Sequence, residues 1–145
     1  VTIDSALAAR RVTVDQIAAH VRGPLRVRAL TALRQADGRS QSLTETLARL
    51  ALTRAGLSAE PAVRILGVGW VDLLVAGRIV VELDGFAYHS GRAEYREDRR
   101  RDRELVRQGY VVLRFTFEDV VRDPQIVVRA VLATLAGADS RASGE

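Results

Sequence analysis

Two carboxylates and a histidine close a single apolar stretch: residues 79–90 read IVVELDGFAYHS, with Glu82, Asp84 and His89 near its end. In an extended chain side chains alternate, so Ile79, Val81 and Leu83 take one face and Val80, Glu82 and Asp84 the other. Asp72 lies upstream in residues 68–75 (VGWVDLLV), a second β-rich run joined to the first by Ala76-Gly77-Arg78. That connection has the length and glycine of a hairpin. Pairing Val75 with Ile79 sets Asp72 opposite Glu82 on the same face. Like charges facing each other across a ladder destabilise it. The pair therefore requires a cation between the acids, a retained proton on one of them, or a different register. A hard divalent ion such as Mg²⁺, held by one or two carboxylates with water completing the shell, meets the first condition.

The elements that must position these groups follow from punctuation and periodicity. Residues 1–40 predict a helical lead-in: Asp4 or Ser5 into Ala6-Leu7-Ala8, Thr13 as N-cap of the next helix, and Pro24 near the start of a third. This lead-in is rich in arginine, so it packs on the core as a solvated segment or contacts nucleic acid as an arm. Ser42-x-x-Glu45 then has capping-box spacing before an apolar-periodic helix that Gly56 stops. Residues 59–67 form a first strand whose Pro61 confines it to an edge. A charged helix over residues 91–108 carries seven arginines against five acids, a surplus too small for a bare polybasic tract. Its Asp98, Arg101, Asp102 and Leu105 share one face, directed at the sheet. Arg99, Arg100 and Arg103 lie on outer faces, as salt-bridged solvated groups or as phosphate contacts. Residues 110–117 (YVVLRFTF) predict an apolar strand of the kind that fills a covered sheet. Within it Arg114 is an edge ion pair or another phosphate contact. A final helix starts at Asp123-Pro124, and residues 137–145 predict a disordered tail.

The string Ser42-x-x-Glu45, Val71-Asp72, Val81-Glu82-Leu83-Asp84-Gly85, Tyr88-His89, Asp98-Arg99-x-Arg101, Gly109 and Leu113-Arg114-Phe115 resembles the PD-(D/E)XK nuclease superfamily. Within it the chain is most similar to the bacterial domain related to very-short-patch-repair endonucleases, often C-terminal in AbiEi-type antitoxin-like proteins. The resemblance covers about residues 42–135. It implies an α/β fold with a restriction-endonuclease-like core over residues 41–136, a mixed sheet with an antiparallel hairpin flanked by helices. It also implies a metal-dependent DNA endonuclease using Mg²⁺ or Mn²⁺. Asp72, Glu82 and Asp84 would be the metal ligands, and His89 a general base or acid. Asp98 and Arg101 would support them from behind. The resemblance also makes Glu45 the first acid of the site, whereas its local spacing makes it a cap. For His89 the plainer alternative is a structural hydrogen bond to a backbone carbonyl or to Asp98. The chain has no lysine, and Asp84 stands where the superfamily usually has one, so a lysine-assisted mechanism is excluded. The rival expectation is a DNA- or protein-binding module of an antitoxin-like regulator that keeps the fold without cutting.

Composition sets the outer limits. At 145 residues, 48% apolar and 28% charged, the chain suits one core. The net charge of +4, with all 22 basic residues arginine, admits double-stranded DNA as a partner without requiring it. The absence of cysteine excludes disulfides and thiolate metal sites and fits the cytoplasm. No apolar run approaches membrane-spanning length. The first residue is Val1, not methionine, which leaves room for a preceding N-terminal regulatory domain.

Overall fold

The computed structural model describes residues 2–84 and 92–142. His89, together with Gly85 and Tyr88, lies outside them. Helices α1 (Thr2–Ala8), α2 (Val14–His20), α3 (Arg26–Arg34) and α4 (Leu43–Arg54) precede strands β1 (Ala59–Ile65), β2 (Gly69–Val75) and β3 (Ile79–Asp84). Helix α5 (Arg92–Arg107), strand β4 (Val111–Thr116) and helices α6 (Phe117–Arg122) and α7 (Gln125–Ala142) complete the order. The strands form one mixed sheet, β1-β2-β3-β4, antiparallel across its first two pairs and parallel between β3 and β4. The parallel step is made by α5, since parallel neighbours need a crossover.

Both faces of the sheet are covered, which explains why β2 and β3 are apolar almost throughout. On one face Leu73, Val75, Ile79, Val81 and Leu83 pack with Ala48, Ala51 and Leu52 of α4, Val120 of α6 and Val127, Val128 and Val131 of α7. On the other, Val80 joins Ile65, Val68 and Val71 beneath Leu105 of α5. Leu105 is 1% exposed on a helix otherwise dominated by charge. Leu105→Ala is therefore expected to lower stability by about 2–5 kcal/mol in denaturant melts.

The β2–β3 hairpin has the expected register, Val75 pairing with Ile79, Leu74 with Val80 and Leu73 with Val81. Its turn closes with the Arg78 N–H donating to the Val75 carbonyl at 3.2 Å. Ala76 (φ 50°) and Gly77 (φ 69°) take the left-handed backbone that the tight reversal needs.

The lead-in is tied to the core by one buried acid. Asp4, 3% exposed, accepts the Asp37 N–H at 2.9 Å and the Thr46 hydroxyl at 2.7 Å. The Arg49 guanidinium, also buried, lies 3.6 Å away and donates through Nε to the Ser40 hydroxyl at 3.1 Å. Gly38 permits this approach, because a Cβ there would meet Ala8 N and Leu7 Cβ at 3.0 Å. Thr13 caps α2 in a full capping box with Gln16.

Strand β4 is an edge of the covered sheet, and Val111 and Thr116 are exposed on it. The apolar run of β4 signals two packed faces, and says nothing about a missing neighbour. A separate helix, α6, follows β4, opened by a capping box between Thr116 and Asp119 whose T-x-x-D spacing is readable in the sequence. Helix α7 continues through Gly137 to Ala142 where a disordered tail was expected. Alanine is the best helix former, and Ala136, Ala138 and Ala142 carry the helix past one glycine that costs about 1 kcal/mol. Among the described residues no helix is long and apolar enough to cross a membrane.

Candidate active site

The sheet opens around Asp72. In the β1–β2 ladder Pro61 pairs with Leu73 and Val63 with Val71, but Ala62, whose register partner is Asp72, is left out. Ala62 takes φ 50°, a conformation that a residue with a Cβ adopts only under constraint. On the other side the β2–β3 pairing ends at Leu73↔Val81. One residue further, the Asp72 carboxylate itself accepts the Leu83 N–H at 2.7 Å. Asp72 thus occupies the gap between parting strands, and the hairpin register carried on by one residue sets it against Glu82.

The two acids press on each other. Burial raises the Glu82 carboxyl to about 7, and the Asp72 charge adds to the rise. The Arg101 and Arg114 guanidiniums and the Asp72 backbone amide offset this only in part. Burial likewise pushes Asp72 up, against the stabilising Leu83 N–H, with Glu45 and Asp84 adding repulsion. Like charges held in a poorly solvated site cannot both ionise freely. Without a bound cation, Glu82 therefore keeps its proton toward neutrality.

This has a consequence for stability. Glu82 binds its proton more tightly folded than unfolded, where its value is 4.5. The folded chain holds more protons between about pH 4.5 and pH 7, so stability falls as pH rises through that window. The decline is roughly 3 kcal/mol at about 1.4 kcal/mol per pH unit. Arginine-paired carboxylates such as Asp37 and Glu104 are shifted down, so they act in the opposite sense and below this window. Melting curves from pH 4.5 to 7.5 should show the decline in the wild type and a smaller one in Glu82→Gln, where the raised Asp72 carboxyl still contributes in the same sense.

A cavity of about 330 Å³ opens beside Glu82, lined also by Asp84, Asp98, Arg101 and Arg114. Helix α5 supplies its far wall. Arg101, 30% exposed, donates from one Nη2 to the Trp70 carbonyl at 2.7 Å and to Glu82 Oε1 at 3.3 Å. Asp98 is half-buried, as its helical face requires. Asp84 ends β3 and is exposed. Glu45 lies on the other side of the pair: it shares with Asp72 a second cavity, of about 490 Å³. It also accepts the Gln41 N–H at 2.8 Å while the Ser42 hydroxyl accepts the Glu45 N–H at 3.1 Å. Glu45 thus serves as a cap and still bears on Asp72.

The arginines expected at a phosphate surface divide. Arg114 is committed to Asp102, at 2.5 and 3.1 Å, which holds its pKa up. Arg100 is committed to Glu97 and to the Gly67 carbonyl. Arg99 lies 5.1 Å over the Tyr95 ring and 3.8 Å from Asp102. Arg103 is exposed, with no ion-pair partner among the described residues. His89 and its neighbours Gly85 and Tyr88 fall outside the described residues.

The donor set fits a hard cation of the Mg²⁺ type, which takes one or two protein carboxylates and fills its remaining positions with water and substrate oxygens. It does not form a larger cage. Among the described residues no group of three or more His, Asp or Glu side chains is placed to hold a metal ion. The sequence leads one to expect Asp72, Glu82 and Asp84 or Glu45 to converge; Glu82 and Asp84 line one cavity and Glu45 and Asp72 the other, with Glu45 and Asp84 both acting on the Asp72 charge. Trp70, exposed beside Asp72, and Asp102, which holds Arg114, go unremarked as site groups in the sequence, although Trp70 shares the period-two face of Asp72.

The uncharacterized proteins MT2308 and Rv2248, from the CDC 1551 / Oshkosh and ATCC 25618 / H37Rv strains of Mycobacterium tuberculosis, are each 30% identical to the chain over 137 residues. The match covers 85% of this chain and 49% of each relative, so the chain spans about half their length. No solved structure matches. A family model, REase_MTES_1575, matches residues 44–135, the span that holds the four strands together with Glu45, Asp72, Glu82, Asp84 and Asp98. With that span and a mixed four-stranded sheet clasped by helices, the chain belongs to this restriction endonuclease-like family.

Proposed function

We propose that the chain is a metal-dependent endonuclease that hydrolyses phosphodiester bonds in DNA. One observation carries the reading: in a member of a restriction endonuclease-like family, two partly buried carboxylates from adjoining strands, Asp72 and Glu82, repel each other without a partner sufficient to neutralise both. Asp72 and Glu82 would hold Mg²⁺ or Mn²⁺, with Asp84 as a further oxygen ligand or a group orienting water. Such an ion supplies Lewis acidity toward a phosphate and a bound water of lowered pKa. Glu82 must give up its proton to serve as a ligand, so divalent affinity is expected to rise as pH increases through about 7. Arg101 fixes the Glu82 carboxylate by bridging it to the Trp70 carbonyl, and Asp98 lines the same cavity. His89 is assigned the general base or acid. The exposed Arg103 of α5, and Arg99 beside it with only a 3.8 Å approach to Asp102 and the Tyr95 ring, are assigned the phosphate contacts, since Arg100 and Arg114 of β4 are already engaged.

A second reading, a non-cleaving DNA- or protein-binding module, draws on a specific observation. Arg101 already offsets part of the Glu82 charge, and the described acids do not form a three-membered cluster. The discriminating experiment is incubation of supercoiled plasmid with and without Mg²⁺ or Mn²⁺, alongside Glu82→Gln. Nicking that requires the ion and disappears in the variant supports the endonuclease. Intact plasmid under every condition, with retained plasmid binding in a gel shift, would leave the binding module.

A further inference from the structure

The two acids line different cavities. Glu82 lines the α5-side cavity, while Asp72 lines the 490 Å³ cavity with Trp70, Val71, Ala62, Glu45 and Arg39. That volume lies within the roughly 300–1,000 Å³ that takes small-molecule groups. Its wall contains the only tryptophan of the chain. Trp70 is 63% exposed, an unusual placement for the largest aromatic side chain, whose burial on folding would have been favourable. The constrained backbone of Ala62 lies across from Asp72, where β1 bends out of the ladder. Arg64 is the cross-strand partner of Trp70 and is exposed, while Arg39, which also lines the cavity, is ion-paired with Asp37 at 2.8 Å. An exposed indole with an exposed arginine across the ladder, in a cavity shared with Asp72, suits a nucleobase whose phosphate meets Arg64.

We propose that this cavity receives an unpaired nucleobase of a nucleic acid strand, stacked on Trp70, and so sets the adjoining phosphodiester at Asp72 and Glu82. A base inside a continuous duplex has both faces covered by its neighbours and cannot enter. The substrate class is accordingly a strand with a single-stranded, gapped or distorted segment. The inference rests on the phosphodiesterase reading for the role of the neighbouring acids, while the base site itself does not require cleavage.

Because Trp70 is the sole tryptophan, its fluorescence reports on this cavity alone. The intact chain is titrated in chelator-containing buffer with a ten-nucleotide single-stranded deoxyoligonucleotide, with its ribonucleotide counterpart, and with the same sequence as a blunt duplex. Saturable quenching by a single strand, with little or none from the duplex, is the expected result. Comparison of the deoxy and ribo arms identifies which nucleic acid supplies the base. Trp70→Ala should weaken single-strand binding, read by anisotropy of a labelled oligonucleotide, by roughly ten- to hundredfold, and Trp70→Phe should keep most of it. Single-strand binding that leaves Trp70 fluorescence unchanged, or duplex quenching as strong as that of the single strand, overturns the proposal even if Trp70→Ala does not fold. Plasmid nicking that survives in a folded Trp70→Ala with undiminished single-strand affinity rejects the base site and leaves the endonuclease standing. Base-dependent quenching in a chain that nicks nothing supports the base site and rejects cleavage.

Discussion

Asp72→Asn is expected to abolish divalent-ion binding, and any cleavage with it, while leaving the melting temperature unchanged or higher. The wild-type fold holds Asp72 against Glu82, with Glu45 and Asp84 adding repulsion. Removing one charge relieves all of these contacts. The amide oxygen of asparagine can still accept the Leu83 N–H that Asp72 takes at 2.7 Å, so the gap between the strands stays filled. Asp72→Ala separates charge from hydrogen bonding, since it strands that N–H and should cost about 1–3 kcal/mol. Calorimetric titration with Mg²⁺ and Mn²⁺ and a melting curve on each variant test both halves. If Asp72→Asn melted far below the wild type, and the wild type bound neither ion even beside DNA, the acids would be a structural pair and the binding module would be the better account.

The largest loss of stability is expected from Asp4→Ala, far from the acid pair. Arg49 is buried, and its Nη2 has no hydrogen-bond partner; its charge is balanced by the Asp4 carboxylate at 3.6 Å. Deleting Asp4 removes the ion-pair partner of a buried guanidinium and also frees the Asp37 N–H and the Thr46 hydroxyl. Breaking a buried pair on one side costs about 3–5 kcal/mol. Replacing both partners, as in Asp4→Ala with Arg49→Met, should recover much of the loss, because an apolar pair carries no desolvation cost. Urea midpoints on the single and double variants measure the coupling. A single variant within about 0.5 kcal/mol of the wild type would mean that the lead-in is not held by this acid.

The β2–β3 hairpin was legible because its information is local. A three-residue connection with glycine fixes which residues pair, and period two then fixes which face each side chain takes. The same locality made Thr13 readable as a cap, and sorted α5 into a face carrying Leu105, half-buried Asp98 and Arg101 and outer faces of exposed Arg99, Arg100 and Arg103. The acid pair follows from that register alone.

What the sequence left open depends on neighbours brought in from elsewhere in the chain. Glu45 reads as a cap or as a site acid with equal force; it caps α4 and also lines a cavity with Asp72, a neighbour that no local spacing announces. Arg114 reads as an edge ion pair or as a phosphate contact, and Asp102, twelve residues before it on α5, makes it an ion pair. Strand β4 reads by composition as part of a covered sheet, and its place at the edge is set by the strand order, which ends with it. Asp4 has nothing in its own helix to announce burial; Thr46 and Arg49 give it one. Alternation and turn chemistry act over a few residues and are written in the chain. Whether a charge meets a partner, a cavity or water is decided by which distant elements pack against it, and only the tertiary structure supplies that.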